Sequence, residues 1–121
     1  MRNREPKPMG QFEQMVLTAI LQLKDNAYGV TIHESVSGIS PKRVNWGAIY
    51  TTLDRLEDKG YVTSKWGLPE EERGGRPKRF YKVTTIGGAA LTEAAHTAKV
   101  VSDAFFSLGR IKKWLAVDEV K

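Results

Sequence analysis

Two short strand-like segments stand within a chain whose other segments are patterned as helices, and this order limits the fold more than any other feature. Residues 61–66 (YVTSKW) and 78–84 (KRFYKVT) are rich in aromatic and β-branched residues, which favour β-strands. The segment between them, GLPEEERGGRP, is long and glycine-rich and predicts a hairpin loop. The sequence therefore predicts a small β-hairpin in a mainly α-helical chain.

Two helical segments come first in the chain. In residues 11–26 (QFEQMVLTAILQLKDN) the apolar side chains recur at helical spacing, which predicts a first amphipathic helix, and Asn26 and Ala27 are expected to turn the chain. Residues 27–39 (AYGVTIHESVSGI) predict a second, shorter helix, although several of its apolar residues are β-branched. A loop follows, because Ser40 precedes a proline and is pushed out of helical geometry.

A third helix is predicted over residues 46–60, with Asn45 as a favourable N-cap and Gly60 at its end. Its inward face is apolar and consists of Ile49, Leu53 and Leu56. The opposite face carries Gly47, Ala48 and Thr51 in its first half and Asp54, Arg55 and Asp58 in its second, with Tyr50 at the border.

The outer face of this third helix suits DNA. Its small N-terminal side chains permit close approach, its exposed N–H groups favour phosphates, and its acidic side chains lie further away. Lys42 and Arg43 add positive charge at the same end. Tyr50 and Thr51 can donate hydrogen bonds to phosphates or contact base edges and thymine methyl groups. The open alternatives are an ordinary solvated helix face and packing of Trp46 and Tyr50 at the edge of the core.

The hairpin loop carries the densest positive charge of the chain. From residue 73 to residue 82 there are five basic residues and no acidic one, in a protein of net charge +5. Gly74 and Gly75 permit a sharp turn that can lie close to a phosphate. A charged surface loop is the open alternative, and a basic surface also suits a membrane or an acidic partner. Because three predicted helices precede the loop in the order of a DNA-binding domain, DNA is favoured over these alternatives as the partner of the loop.

The order helix–helix–helix–strand–loop–strand–helix is that of a winged helix-turn-helix, whose third helix reads DNA and whose hairpin is the wing. We expect a flexible N-terminal arm over residues 1–10, a winged helix-turn-helix DNA-binding domain over residues 11–84, and a C-terminal dimerisation helix over residues 85–121. The predicted DNA-binding residues are Lys42, Arg43, Asn45, Gly47, Ala48, Tyr50, Thr51, Arg73, Arg76, Lys78 and Arg79.

In the last helix, Ala94, Val101, Leu108 and Leu115 recur every seven residues. This line of side chains along the helix is called the seam. We expect the helix to follow Thr84 or Thr85 as its cap and to continue to about residue 117. So long a helix cannot bury the seam on a domain this small, so we expect a second copy to cover it; folding back over its own domain is the open alternative. The predicted dimer interface comprises Phe12, Val16, Ala94, Thr97, Val101, Ala104, Phe105, Leu108, Ile111 and Leu115. Phe105 and Trp114 either pack in this interface or line a cavity for a small effector.

Little in the sequence indicates catalysis or metal binding. The chain has no cysteine, which excludes disulfides and thiolate metal sites and suits a reducing cytoplasm. His33, expected to be partly buried, and His96, expected to be exposed, have no spacing typical of a metal site or a nucleophile–base pair. No apolar run predicts a signal peptide or a membrane span. We therefore expect a cytoplasmic protein that is not an enzyme and holds no metal or cofactor; a protein-interaction scaffold is the alternative to DNA binding.

Four stretches of the chain together are typical of one protein family. In sequence order they are FEQMVLTAILQL, AYGVTI, WGAIYTTLDRLEDKGYV and GGRPKRFYKVTTIGGAAL. Through them the chain resembles the PadR family of bacterial transcriptional regulators, in its short form with a single C-terminal helix. The resemblance implies a homodimeric repressor that binds double-stranded operator DNA through two winged helices and releases it when a small, frequently aromatic effector binds. It also implies DNA-facing positions at Asn45, Gly47, Ala48, Tyr50 and Thr51 of the third helix and at Arg76 and Lys78 of the wing.

Overall fold

The computed structural model describes residues 8–68 and 77–108 of the chain. In chain order, the helices and strands of these residues are α1 (Gln11–Leu23), α2 (Gly29–Ile39), α3 (Trp46–Asp58), β1 (Val62–Trp66), β2 (Arg79–Val83) and α4 (Thr85–Phe106). Strands β1 and β2 pair antiparallel, from Val62 opposite Val83 to Trp66 opposite Arg79. The predicted fold class, mainly helical with a small β-hairpin and a C-terminal helix, is confirmed.

Helix α1 ends at Leu23, before the turn predicted at Asn26 and Ala27, because a 3-10 turn, Lys24–Asn26, replaces its last turn. The change occurs at Lys24, whose φ of 56° lies in the left-handed region. Lys24 still caps the helix, since its backbone N–H donates to the carbonyl of Ile20. Lysine is not a residue type that favours positive φ, so this helix end carries no recognisable signal in the sequence.

Helix α2 begins two residues later than predicted, because the residues before it pair with the hairpin. The backbone N–H of Tyr81 donates to the carbonyl of Ala27 at 2.9 Å, and Tyr28 forms a β-bridge with Phe80. Tyr28 has an extended backbone, and its N–H donates to the hydroxyl of Thr31 at 3.0 Å. These contacts attach the hairpin to the start of α2.

The hydrophobic core combines side chains from α1, α2, α3 and the hairpin. The largest fully buried side chains are Leu17, Ile32, Ile49, Leu53, Leu56, Val16, Val36 and Val62. The predicted inward face of α3 is therefore confirmed. At the edge of the core, the Lys59 ammonium lies 2.9 Å from the buried Glu13 carboxylate and connects the end of α3 to α1.

A close backbone contact sets the position of helix α4. The hydroxyl of Thr84 caps the helix by accepting the N–H of Gly87 at 3.0 Å, and it donates to the carbonyl of Gly60 at 2.7 Å. The Thr84 N–H donates to the carbonyl of Tyr61 at 2.9 Å. A Cβ on Gly87 would overlap the Tyr61 carbonyl oxygen, so α4 packs here only because residue 87 is glycine.

After its first two turns, helix α4 no longer buries side chains against the rest of the domain. Leu91 is its last buried residue, and every residue from 95 to 108 is exposed in the single chain. Residues 109–121, where the predicted helix would continue, lie outside the described part of the chain. Within that part, no helix combines the length and the apolar character needed to span a membrane.

Candidate nucleic-acid interface

The N-terminal end of helix α3 is built as predicted. Asn45 has an extended backbone, and its side-chain Oδ1 accepts the N–H of Ala48 at 2.7 Å. Because this oxygen caps the helix, the amide nitrogen of Asn45 is the group that remains for DNA. Gly47, Tyr50 and Thr51 are exposed, whereas Ala48 is half-buried. The predicted DNA-facing residues of α3 thus lie on one accessible end of the helix.

Lys42 and Arg43 extend this accessible end with positive charge. Both residues are exposed, and no ion pair within residues 8–68 and 77–108 involves either of them. Their loop is ordered by Ser40, whose hydroxyl accepts the backbone N–H of Lys42 at 3.1 Å. From residue 42 to residue 51 the chain carries no acidic residue, so this segment itself is basic.

Three aromatic side chains of α2 and α3 form a row, and sequence reasoning did not find it. The His33 imidazole stacks on the Trp46 indole, with ring centres 3.9 Å apart and planes 7° from parallel. The Trp46 ring in turn lies 6.4 Å from the Tyr50 ring and nearly parallel to it. His33 is half-buried as expected, and its Nε2 lies 2.8 Å from the carbonyl oxygen of Val44.

Tyr50 continues this row against the start of α2. A Cβ on Gly29 would overlap the Tyr50 hydroxyl, so the phenol ring lies directly on the helix backbone. Tyr50 nevertheless remains 46% exposed, which leaves part of the residue accessible. Packing at the core edge and an accessible face, which were alternatives for Tyr50 in the sequence, therefore occur together.

The wing is described only at its base. Arg73 and Arg76 lie outside the described residues. Lys78 is half-buried, and its ammonium group lies over the Tyr28 ring, 4.3 Å from its centre. Tyr28 also contacts Phe80 edge-on, with ring centres 5.5 Å apart. The Lys78 side chain thus lies at the junction of the hairpin and the start of α2.

Arg79, which is predicted to bind DNA, also has structural contacts at the base of the wing. Its Nη2 donates to the Glu57 carboxylate at 3.0 Å, and its Nε donates to the hydroxyl of Ser64 at 3.0 Å. The Ser64 hydroxyl donates to the other Glu57 oxygen at 2.9 Å. The Arg79 guanidinium therefore links both strands of the hairpin to helix α3. The position of an arginine in the sequence does not show whether its side chain forms such an ion pair within the domain.

Tyr81 lies beside this network with its ring buried. Burial raises the pKa of its phenol; the Arg79 guanidinium lowers the pKa, while the Glu57 and Asp54 carboxylates raise it. The net shift is upward, so the phenol remains neutral over the physiological pH range. The phenol therefore adds no negative charge beside the Arg79–Glu57 pair.

The structure divides the predicted dimer residues into two groups. Val16 is fully buried in its own protomer, which corrects its assignment to the interface, and Phe12 is half-buried against the same core. On helix α4, Ala94 is half-buried and the other described positions are exposed, namely Thr97, Val101, Ala104, Phe105 and Leu108. Ile111, Trp114 and Leu115 lie outside the described residues.

A groove of about 480 Å³ lies beside the predicted seam. It is lined by residues of the N-terminal segment, helix α1 and helix α4, and by Tyr61: Pro8, Met9, Gln14, Tyr61, Ala90, Glu93, Ala94, Thr97 and Ala98. Phe105, one of the two residues predicted to contact an effector, does not line this groove; its ring contacts Phe106 edge-on at 5.2 Å. In the described part of the chain, no three histidine, aspartate or glutamate side chains converge as a metal site requires.

Comparison with known proteins shows where this architecture occurs. The sequence matches the family model described as the transcriptional regulator PadR-like family over residues 16–93. The fold is similar to the crystal structure of a PadR family transcription regulator from Clostridium difficile, with a TM-score of 0.70 and 22% identity, covering 82% of this chain and 98% of that one. It is also similar to a PadR family transcriptional regulator from Eggerthella lenta, with a TM-score of 0.63 and 25% identity, covering 80% and 82% of the two chains.

A sequence match to a curated protein is local. Transcriptional regulator Rv3488 from Mycobacterium tuberculosis is 43% identical over 51 residues, which make up 42% of this chain and 44% of that protein. The match therefore spans less than half of the mycobacterial regulator.

Proposed function

Because the chain belongs to the PadR-like family of transcriptional regulators, we propose that it is a homodimeric, sequence-specific DNA-binding repressor that leaves its operator when a small effector binds. Since its ligand would be chromosomal DNA, its place of action would be the cytoplasm. Repression and effector release are supported by the family resemblance, and DNA binding and dimerisation are supported by the geometry as well.

The observation that best supports DNA binding is the composition of the accessible end of helix α3. Gly47, Tyr50 and Thr51 are exposed there, and Lys42 and Arg43 precede them without an acidic neighbour in the sequence. A helix end with small side chains, hydrogen-bond donors and flanking cations fits the major groove and its two phosphate backbones. Among the described residues, the phosphate contacts are proposed for Lys42, Arg43, Lys78 and Arg79, whose side chains are exposed or half-buried.

The observation that supports dimerisation is the exposed seam of helix α4. Val101 is 61% exposed and Leu108 is 52% exposed in the single chain, and both recur on the seven-residue repeat. Apolar side chains on one line of a long helix favour a second helix as their cover. The groove beside Ala94 and Thr97 adjoins this seam, so an effector bound in it would be placed to change how two protomers pack.

Fluorescence anisotropy tests the proposed DNA binding: the affinity of the protein for a random-sequence duplex is measured at several salt concentrations. With about four phosphate contacts per protomer, the plot of log affinity against log salt for a dimer is expected to have a slope of about −7. The double substitution of Lys42 and Arg43 by alanine should reduce the magnitude of this slope by about 3 to 4. Lys99→Ala, which removes one charge from the exposed part of α4, should leave the slope unchanged. Absence of binding even at low salt would favour a protein-interaction scaffold.

Gly29→Ala tests the role of Tyr50 without changing Tyr50 itself. The added Cβ would displace the end of the flexible Tyr50 side chain, so the fold should survive while operator affinity falls roughly ten-fold, the effect of losing one good base or phosphate contact. Gly38→Ala, in the same helix, adds a Cβ with no atom within 4 Å and serves as the control. Equal operator affinities for the two variants would contradict a DNA contact by Tyr50.

A further inference from the structure

Trp46 is a large apolar side chain at the first position of helix α3. It directly follows the N-cap Asn45, and it remains 45% exposed. Tyr50 lies one helical turn further along the same side of α3, with its ring nearly parallel to the indole. Trp46 therefore shares the accessible helix end through which the protein would meet DNA, although its charge and size do not indicate a phosphate contact.

The indole of Trp46 is held from one side. His33 stacks on it at 3.9 Å, and the His33 ring is itself fixed by its Nε2, which lies 2.8 Å from the carbonyl oxygen of Val44. A ring supported in this way has little rotamer freedom left to lose when it contacts a ligand. This support distinguishes Trp46 from an exposed tryptophan that is merely solvated.

The chemistry of a supported indole edge at a helix N-terminus matches one feature of the major groove. Each thymine presents its C5-methyl group there, and apolar side chains contact that methyl group. Uracil and cytosine lack it, so such a contact distinguishes thymine from other pyrimidines. The indole N–H could instead reach a phosphate, but that contact would not depend on the base.

We propose that Trp46 is a specificity-determining residue that contacts the C5-methyl group of a thymine in each operator half-site, on a platform provided by His33. This inference rests on the proposed DNA-binding function and adds a base preference to it. It assigns a sequence-reading role to a side chain outside the set of α3 residues expected to face DNA.

The test is a thymine-to-deoxyuridine scan of a duplex selected by the purified full-length protein from a random-sequence library. Each thymine is replaced by deoxyuridine in both half-sites, and affinity is measured by fluorescence anisotropy. For the wild-type protein, one position should show a loss of roughly four-fold per half-site, or about 15-fold for both, the effect of one buried methyl group. For Trp46→Ala, the loss at that position should disappear while the effects at other positions remain.

Two further variants complete the test. Trp66→Ala removes the other described exposed tryptophan, which lies at the end of β1, and should keep the wild-type methyl dependence. Trp46→Phe preserves an apolar ring and should keep part of that dependence, and it carries the test if Trp46→Ala does not fold by circular dichroism. If Trp46 variants weaken binding to every duplex equally, or if no thymine position responds to them, the inference is overturned. If the wild-type protein binds no duplex, the proposed function itself fails.

Discussion

The substitution Val101→Glu is expected to split the dimer and to reduce operator affinity by roughly 100-fold or more. Two linked DNA-binding domains exceed the affinity of one by about 10² to 10⁴, because the second domain binds at high effective concentration. Val101 is on the seven-residue repeat and 61% exposed in the single chain, so the glutamate would be solvated in a monomer but buried in a dimer. Light scattering gives the mass of the protein, and fluorescence anisotropy with the operator duplex gives its affinity.

Ser102→Glu is the matched control, because it adds the same charge at the next position of α4, off the proposed seam. This variant should remain dimeric and keep its operator affinity within about two-fold, since surface charges contribute little to either. Circular dichroism should show that both variants keep a folded, helical domain, and the Tm of Val101→Glu should be the lower of the two because the monomer lacks the stabilisation by association. A dimeric Val101→Glu protein with wild-type affinity would contradict the assignment of the seam to the dimer.

The substitution Gly87→Ala is expected to lower the free energy of unfolding by about 3 kcal/mol, near the upper end of the usual effect of overpacking. The new Cβ would overlap the carbonyl oxygen of Tyr61, and a backbone atom cannot move aside as a side chain can. The Thr84 contacts with Gly60 and Tyr61 would be strained with it. Thermal denaturation at fixed protein concentration should show a Tm lower by about 10 °C or more.

Gly88→Ala should have the opposite sign. A Cβ at Gly88 has no atom within 4 Å, so the substitution replaces a flexible helical residue by the best helix former. The free energy of unfolding should rise by about 0.5 to 1 kcal/mol. If both alanine variants shift the Tm in the same direction by similar amounts, the packing of α4 on Tyr61 is not what the structure describes.

Much of the fold could be predicted because its signals are local. The apolar residues Ile49, Leu53 and Leu56 recur at helical spacing, and all three are fully buried. Asn45 and Thr84 are residue types that favour N-caps, and each accepts a backbone N–H three residues further on. The exposed end of α3 follows from the same spacing, so the candidate site was largely predictable as a surface.

The remaining features depend on contacts between residues that are distant in the sequence. Arg79 pairs with Glu57 across 22 positions, and no local pattern predicts such a pair. The His33–Trp46 stack likewise requires the crossing of α2 and α3, which neither helix pattern specifies. Val16 was assigned to the interface because an amphipathic helix shows which side chains are apolar without showing what covers them.

Hydroxyl-radical footprinting of a genomic fragment that the protein itself selects tests the central claim most directly. Two protomers that each place α3 in a major groove are expected to protect two half-sites related by twofold symmetry, with centres about 10 to 10.5 base pairs apart or a multiple of that distance. The protection should be lost with Val101→Glu at concentrations where the wild-type protein saturates the site. A single asymmetric block of protection, or failure to retain any fragment from the genome, would contradict the account.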